Sequence, residues 1–150
     1  MDIALVFDTS KSMEKWHRRQ LSMFLDNLVD NMGVSSKGNH FATITFDIGT
    51  RIINKFKDSQ YHNKMNLKAR LRAAVHRAPR WWGTRTDLAM RLAVNSVFTP
   101  QGGDRPNAKN VMIIINEGKP LVSKKDKVPW IGFAQSSKVI EVIQSRPQFY

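Results

Sequence analysis

Two unbroken apolar runs, Ile3-Ala4-Leu5-Val6-Phe7 and Val111-Met112-Ile113-Ile114-Ile115, restrict the fold more than any other feature of the chain. Side chains alternate sides along a strand, so a strand that is apolar throughout needs cover on both faces. Between the two runs the period changes. Leu21, Phe24, Leu25, Leu28, Val29 and Met32 recur at three- and four-residue intervals, which predicts a helix over residues 13–32 that stops at Gly33. Strands are predicted over 41–46 and 50–56, with Asp47 and Gly49 in the turn between them. A second helix over 67–78 carries Leu67, Leu71, Ala74, Val75 and Ala78 on one face and is closed by Pro79. A third helix is expected over 87–97, a surface loop over 101–106 and a weaker strand over 139–143. Strands that alternate with helices in this way predict an α/β, doubly wound (Rossmann-like), mostly parallel sheet with helices on both faces. Ligands of such folds bind beyond the carboxyl ends of the strands, where strand order reverses.

A length of 150 residues suits one domain spanning 1–150, and a hydrophobic fraction of 41% supplies a core for it. The chain has no cysteine, which excludes disulfides, thiolate metal sites and cysteine nucleophiles. It has no apolar run of about 18 residues, so no membrane span is expected. Met1 leads directly into a predicted strand, so a secretory leader is not expected within this sequence. His17, His40, His62 and His76 lack metal-ligand spacing and are expected at or near the surface. No serine–histidine–aspartate set, phosphate-cradling glycine loop or carboxylate pair assembles, so an enzyme is not expected.

The chemistry concentrates where the two apolar runs end. Asp8, Ser10 and Ser12 follow the first on a strand-to-helix loop, Glu117 follows the second, and Thr84 lies on a loop between them. Carboxylates and hydroxyls gathered in one crevice are the ligands that hard cations such as Mg²⁺ take. The same residues have a plainer use: Ser10 or Ser12 as the cap of the first helix, and Thr84 or Thr86 as the cap of the third. Trp81 and Trp82, beside Thr84, are expected to pack at the end of a helix, with an aromatic rim around a ligand site as the alternative.

Charge is unevenly spread. Residues 1–50 hold five Lys/Arg against six Asp/Glu, whereas residues 51–91 hold eleven against two. The basic segment, with Lys68, Arg70, Arg72, Arg77, Arg80 and Arg85, reads either as a solvated surface or as a site for a polyanion, sulfated glycan ahead of nucleic acid.

Four pieces in order carry a resemblance: Asp8-Thr9-Ser10-Lys11-Ser12, Gly83-Thr84-Arg85-Thr86-Asp87-Leu88-Ala89, Gly102-Gly103-Asp104-Arg105-Pro106, and Val111 to Ile115 followed by Asn116-Glu117-Gly118-Lys119-Pro120. Up to about residue 122 the chain resembles a von Willebrand factor A domain of the extracellular-matrix type, the type found in matrilin, collagen-associated, byssal and shell matrices. The resemblance implies a metal-ion-dependent adhesion site holding Mg²⁺ or Mn²⁺. Ser10 and Ser12 would bind the ion directly, Thr84 would enter or leave its shell, and Asp8 would hold the ion or its waters. A carboxylate from a matrix protein such as collagen would complete the shell. It also implies a secreted, extracellular setting, although some relatives work inside cells. The family pattern has Thr-Asp where this chain has Asn116-Glu117. Glutamate keeps the charge and adds about 1.5 Å of reach, so Glu117 either binds the ion directly or crowds its open position. A retained but altered site is expected, with Asn116 replacing a threonine hydroxyl around it. The family's last helix has no counterpart, so residues 123–150 are expected to be divergent or incomplete after the fifth strand.

Overall fold

The computed structural model describes residues 1–79 and 81–116, and the backbone of 141–145. Five strands form one sheet: β1 (Asp2–Asp8), β2 (His40–Phe46), β3 (Thr50–Asn54), β4 (Asn110–Ile115) and β5 (Glu141–Ser145). Their order is β3-β2-β1-β4-β5. β1 pairs in parallel with β2 and β4, β4 pairs in parallel with β5, and only β2–β3 is antiparallel. The chain winds outward from β1 in both directions, which is the doubly wound arrangement the apolar runs predict.

Why β1 must be apolar on both sides is visible in the packing. Ile3, Leu5 and Phe7 belong to one core with Leu21, Leu25 and Val29 of α1 (Lys15–Met32) and Leu67 and Leu71 of α2 (Lys64–Val75). Ala4 and Val6 belong to a second core with Ala89 and Met90 of α3 (Thr86–Leu92) and with Ala93 and Val97 of the π-helical turn that follows it. All five side chains of the run are fully buried, and burying a large aliphatic or aromatic side chain contributes about 1.5–3 kcal/mol.

Three local expectations change. Phe24, placed on the apolar stripe of α1 by spacing, is 42% exposed; the stripe is the narrower one of Leu21, Leu25 and Val29. Helix α2 begins at Lys64, because the Asn63 side chain accepts from the backbone N–H groups of Met65 and Asn66, and it ends at Val75 rather than Ala78. The loop over 101–106 is anchored rather than merely superficial. Arg105 grips the fully buried Asp2 carboxylate through its backbone N–H at 2.8 Å and its guanidinium at 2.7 and 2.9 Å. That anchor holds the amino end of β1, opposite the crevice. No helix among the described residues is long and apolar enough to cross a membrane. Expectations for Glu117, Arg80 and the divergent end, β5 backbone apart, fall outside the described residues.

Candidate metal centre

The parallel register carries β1, β2 and β4 to a common edge. Asp8 pairs with Phe46, and one step beyond the last β1–β4 pair, Phe7–Ile115, stand Asp8 and Asn116. Strand order reverses here, so Asp8 sits in the crevice between diverging connections.

Asp8 is 1% exposed. One carboxylate oxygen accepts the Ser10 backbone N–H at 2.7 Å, and the other accepts the Thr84 hydroxyl at 3.4 Å. The hydroxyls of Ser10 and Ser12 meet at 2.7 Å. Ser10 is fully buried, Thr84 is nearly so, and Ser12 faces solvent. Burial pushes the Asp8 carboxyl above its ordinary range, against the opposing pull of the Ser10 and Thr84 hydrogen bonds and the nearby Arg18 charge. Four of the five expected oxygen donors are thus brought together, and the fifth, Glu117, follows Asn116 directly in the chain.

The capping alternative fails. The residue preceding α1 is Glu14 and that preceding α3 is Arg85, and neither helix has a side-chain cap. The hydroxyls of Ser10, Ser12 and Thr84 are directed to each other and to Asp8. Asn116 stands beside Asp8 at this edge. It is 1% exposed, and among the described residues neither its amide oxygen nor its amide nitrogen has a partner. A buried polar group left unpaired costs about 1–3 kcal/mol, and a hydrated cation beside Asp8 would supply what it lacks. Among the described residues no group of three or more His, Cys, Asp or Glu exists. The carboxylate and hydroxyl oxygens gathered here are of the kind that Mg²⁺ and Mn²⁺ take.

One residue of the site has no counterpart in the sequence reading. Arg18, 7% exposed, donates from Nη2 to the carbonyls of Thr9 (3.1 Å) and Ser10 (2.9 Å) and from Nε to that of Met13 (3.1 Å). Its Nη1 reaches across to Val75 O at 2.7 Å. One guanidinium therefore fixes the Asp8–Met13 loop against the end of α2. The available signal was position: Arg18 lies on the buried stripe of α1, one turn before Leu21 and Ser22.

The basic residues are dispersed. Lys68 and Lys64 pair with Asp30 of α1, and Arg72 forms a fork on Asp26 at 2.6 and 2.9 Å. Arg85 forks on Asp87 at 2.7 and 2.8 Å and draws that carboxyl below its ordinary range. Arg70 donates to Ile53 O at 2.8 Å and lies over the Tyr61 ring at 5.8 Å. Arg77 lines a cleft beside the metal loop, and Arg80 is outside the described residues. Trp81 and Trp82, expected to pack, are 61% and 68% exposed; the Trp81 carbonyl accepts the Lys11 N–H at 3.0 Å, beside Ser10 and Ser12.

Comparison with known proteins agrees with this geometry. The model of the von Willebrand factor type A domain matches residues 2–144. Matrilin-3 of Gallus gallus is 28% identical over 124 residues, covering 80% of this chain and 26% of the relative. Matrilin-1 of Homo sapiens is 26% identical over 118 residues, covering 79% and 23%. The chain spans about a quarter of the length of these relatives. Among solved structures, proximal thread matrix protein 1 from the mussel byssus, with its MIDAS motif occupied by zinc, superposes with a TM-score of 0.76 at 20% identity, covering 97% of this chain and 37% of that one. The manganese-loaded TRAP protein of Plasmodium vivax superposes with a TM-score of 0.79 at 17% identity, covering 96% and 56%. These structures share the fold. The chain belongs to the von Willebrand factor type A domain family.

Proposed function

We propose that this chain is a non-enzymatic adhesion module of the extracellular matrix that uses a divalent cation, Mg²⁺ or Mn²⁺, to engage a carboxylate of a matrix protein such as collagen. The observation that carries this reading is the convergence of Asp8, Ser10, Ser12 and Thr84 at the strand-order switch, beside the unpartnered amide of Asn116. Ser10 and Ser12 hold the ion through their hydroxyls, Asp8 balances its charge, and Thr84 and Glu117 complete the protein's share of the shell. An ion facing few carboxylates keeps a net positive charge and exchangeable waters, so an incoming carboxylate binds it. The matrilin relatives and the byssal matrix protein support a matrix setting, and the zinc- and manganese-loaded structures support a divalent ion.

The test is a melting curve with MgCl₂, MnCl₂ or chelator. A ligand bound only by the folded state stabilises it by about 2.7 kcal/mol at a hundredfold excess over Kd. The melting temperature therefore rises with metal, and Ser12→Ala removes the rise. No rise at millimolar metal, with Ser12→Ala indistinguishable from the parent, ends the metal reading. The rival, a metal-independent polyanion binder built on residues 51–91, has less support, because Lys68, Arg72 and Arg85 already face carboxylates. Heparin retention that falls steeply with salt and ignores chelator favours that rival.

A further inference from the structure

Beside the metal loop the surface folds into a cleft of about 210 Å³ between the β2–β3 turn and the end of α2. Thr9, Asp47, Thr50, Arg51 and Arg77 line it, and the exposed Trp81 forms its outer wall. We propose that this cleft takes a second acidic side chain of the same peptide segment whose first carboxylate reaches the metal; the inference rests on the adhesion reading above and assigns the partner's local chemistry.

The charge pattern carries it. Lys64 and Lys68 share the Asp30 carboxylate, Arg72 pairs with Asp26 and Arg85 with Asp87, each within 3.2 Å. Arg51 and Arg77 are exposed, and among the described residues neither is in an ion pair. Two guanidiniums outweigh the one carboxylate in the cleft, and an oxygen of that carboxylate is already engaged by the Gly49 backbone N–H at 2.8 Å. A guanidinium pair beside an open cleft favours an incoming carboxylate, which it grips through parallel N–H donors.

The cleft and the metal site share backbone, so one ligand reaches both. Thr9 stands between Asp8 and Ser10; its N–H and its hydroxyl bond to Phe46 O at 2.8 and 3.3 Å, on the cleft side. The Lys11 N–H bonds to Trp81 O at 3.0 Å, tying the loop carrying Ser12 to the cleft's outer wall. An extended peptide advances about 3.3–3.6 Å per residue, so acids one or two residues apart meet the two subsites. Size selects a side chain over a saccharide. Pockets for whole small molecules run to about 300–1,000 Å³, and this cleft is smaller. The exposed Trp81 supplies apolar contact for the acid's stem, and tryptophan and arginine are the residue types that dominate binding energy at protein contacts.

The test uses the full chain with MnCl₂ and two capped peptides, Gly-Asp-Gly-Glu-Gly and Gly-Asp-Gly-Gln-Gly, in a competition assay. The two-acid peptide is expected to bind about fivefold to tenfold tighter, as one charge-assisted contact at a partly exposed site gives. The doubly substituted Arg51→Gln, Arg77→Gln chain brings the ratio to within about twofold, while the Gln peptide's affinity and the metal-induced melting shift stay as in the parent. Equal binding of both peptides by the parent, with both requiring Mn²⁺, overturns the second subsite and leaves the metal reading intact. Binding of neither peptide, with no metal-induced shift, removes both. A sulfated heparin disaccharide that binds through Arg51 and Arg77 in the presence of chelator overturns the acidic-peptide assignment.

Discussion

The Arg18 guanidinium and the Ser10 carbonyl lie 2.9 Å apart, so the loop that presents Ser10 and Ser12 is held from behind by a buried cation of α1. The same Nη2 holds Thr9 O, and Nη1 holds Val75 O at 2.7 Å across the end of α2. The Asp8–Met13 loop and α2 therefore keep one relative position as long as this side chain is in place. The charge also favours ionisation of Asp8, partly offsetting its burial.

Replacing Arg18 tests that coupling. Arg18→Met leaves several buried carbonyls without donors and is expected to cost about 3 kcal/mol or more. Arg18→Lys keeps a charge near Asp8 and loses the fork, so it recovers part of the stability and little of the loop order. Urea denaturation gives the first quantity. The metal-induced melting shift gives the second and should shrink in both variants. A shift equal to the parent's in Arg18→Met would mean that the loop holds its own shape.

Asn116 predicts opposite effects in chelator and in metal. Its amide is buried without a partner, so Asn116→Leu removes a desolvated polar group and is expected to raise stability in chelator by about 1 kcal/mol. In MnCl₂ the same change removes a hydrogen-bonding group beside Asp8, and the metal-induced rise should fall. Calorimetry in the two buffers separates these effects. A loss of stability in chelator would show that the amide is partnered after all.

The fold was legible because its strongest signals are redundant. Ile3 to Phe7 is apolar at every position and covered on both faces, as such a run requires. Asp8, Ser10, Ser12 and Thr84 were legible because a short motif at a strand end has few places to go. What was hidden depends on partners distant in sequence. Arg18 binds carbonyls, which every residue carries, so no sequence pattern marks its role. Lys68 and Arg72 looked like part of a free basic face until α2 packed on α1 and brought Asp30 and Asp26 to them. Asn63 was passed over as a helix start because the apolar stripe begins only at Leu67, one turn later. Aromatic burial is the commoner outcome for neighbouring tryptophans, so nothing in the sequence marks Trp81 and Trp82 as exposed.

His40 and His62 predict a pH dependence. Their rings stack at 3.7 Å, with Nε2 of each beside a carbonyl, Ser36 O at 3.0 Å and Phe56 O at 2.7 Å. Burial lowers the His40 pKa first; the Ser36 carbonyl opposes this, the His62 and Arg105 charges add to it, and Asp2 opposes it. A histidine with a lowered folded pKa contributes stability that is fully present above its unfolded pKa, about 6.5, and is lost as pH falls through the folded value. The melting temperature should therefore fall as pH is lowered from 7 to 5, in part through this contact. His62→Gln should flatten that part of the curve. Equal slopes for parent and variant would remove the stacked pair as the cause.

Gly103 separates backbone strain from steric clash. Its φ is +89°, and a Cβ there would lie 2.4 Å from the Lys57 backbone nitrogen and 2.8 Å from its Cα. The loop must approach that backbone, since Lys57 N–H donates to Gly102 O at 3.2 Å. Gly33 has a similar φ of +70° with nothing within 4 Å of the added atom. Gly33→Ala meets no atom, but with ψ at 156° it places alanine in backbone space essentially reserved for glycine and should cost about 1–3 kcal/mol of strain alone. Gly103→Ala adds displacement of backbone and should cost about 3 kcal/mol or more. Neither position adjoins Asp8, so the metal-induced melting shift should persist in any Gly103→Ala protein that folds. Equal costs for the two variants, read from urea midpoints at a common slope, would show that the 101–106 loop yields and that its close approach to Lys57 is not required by the fold.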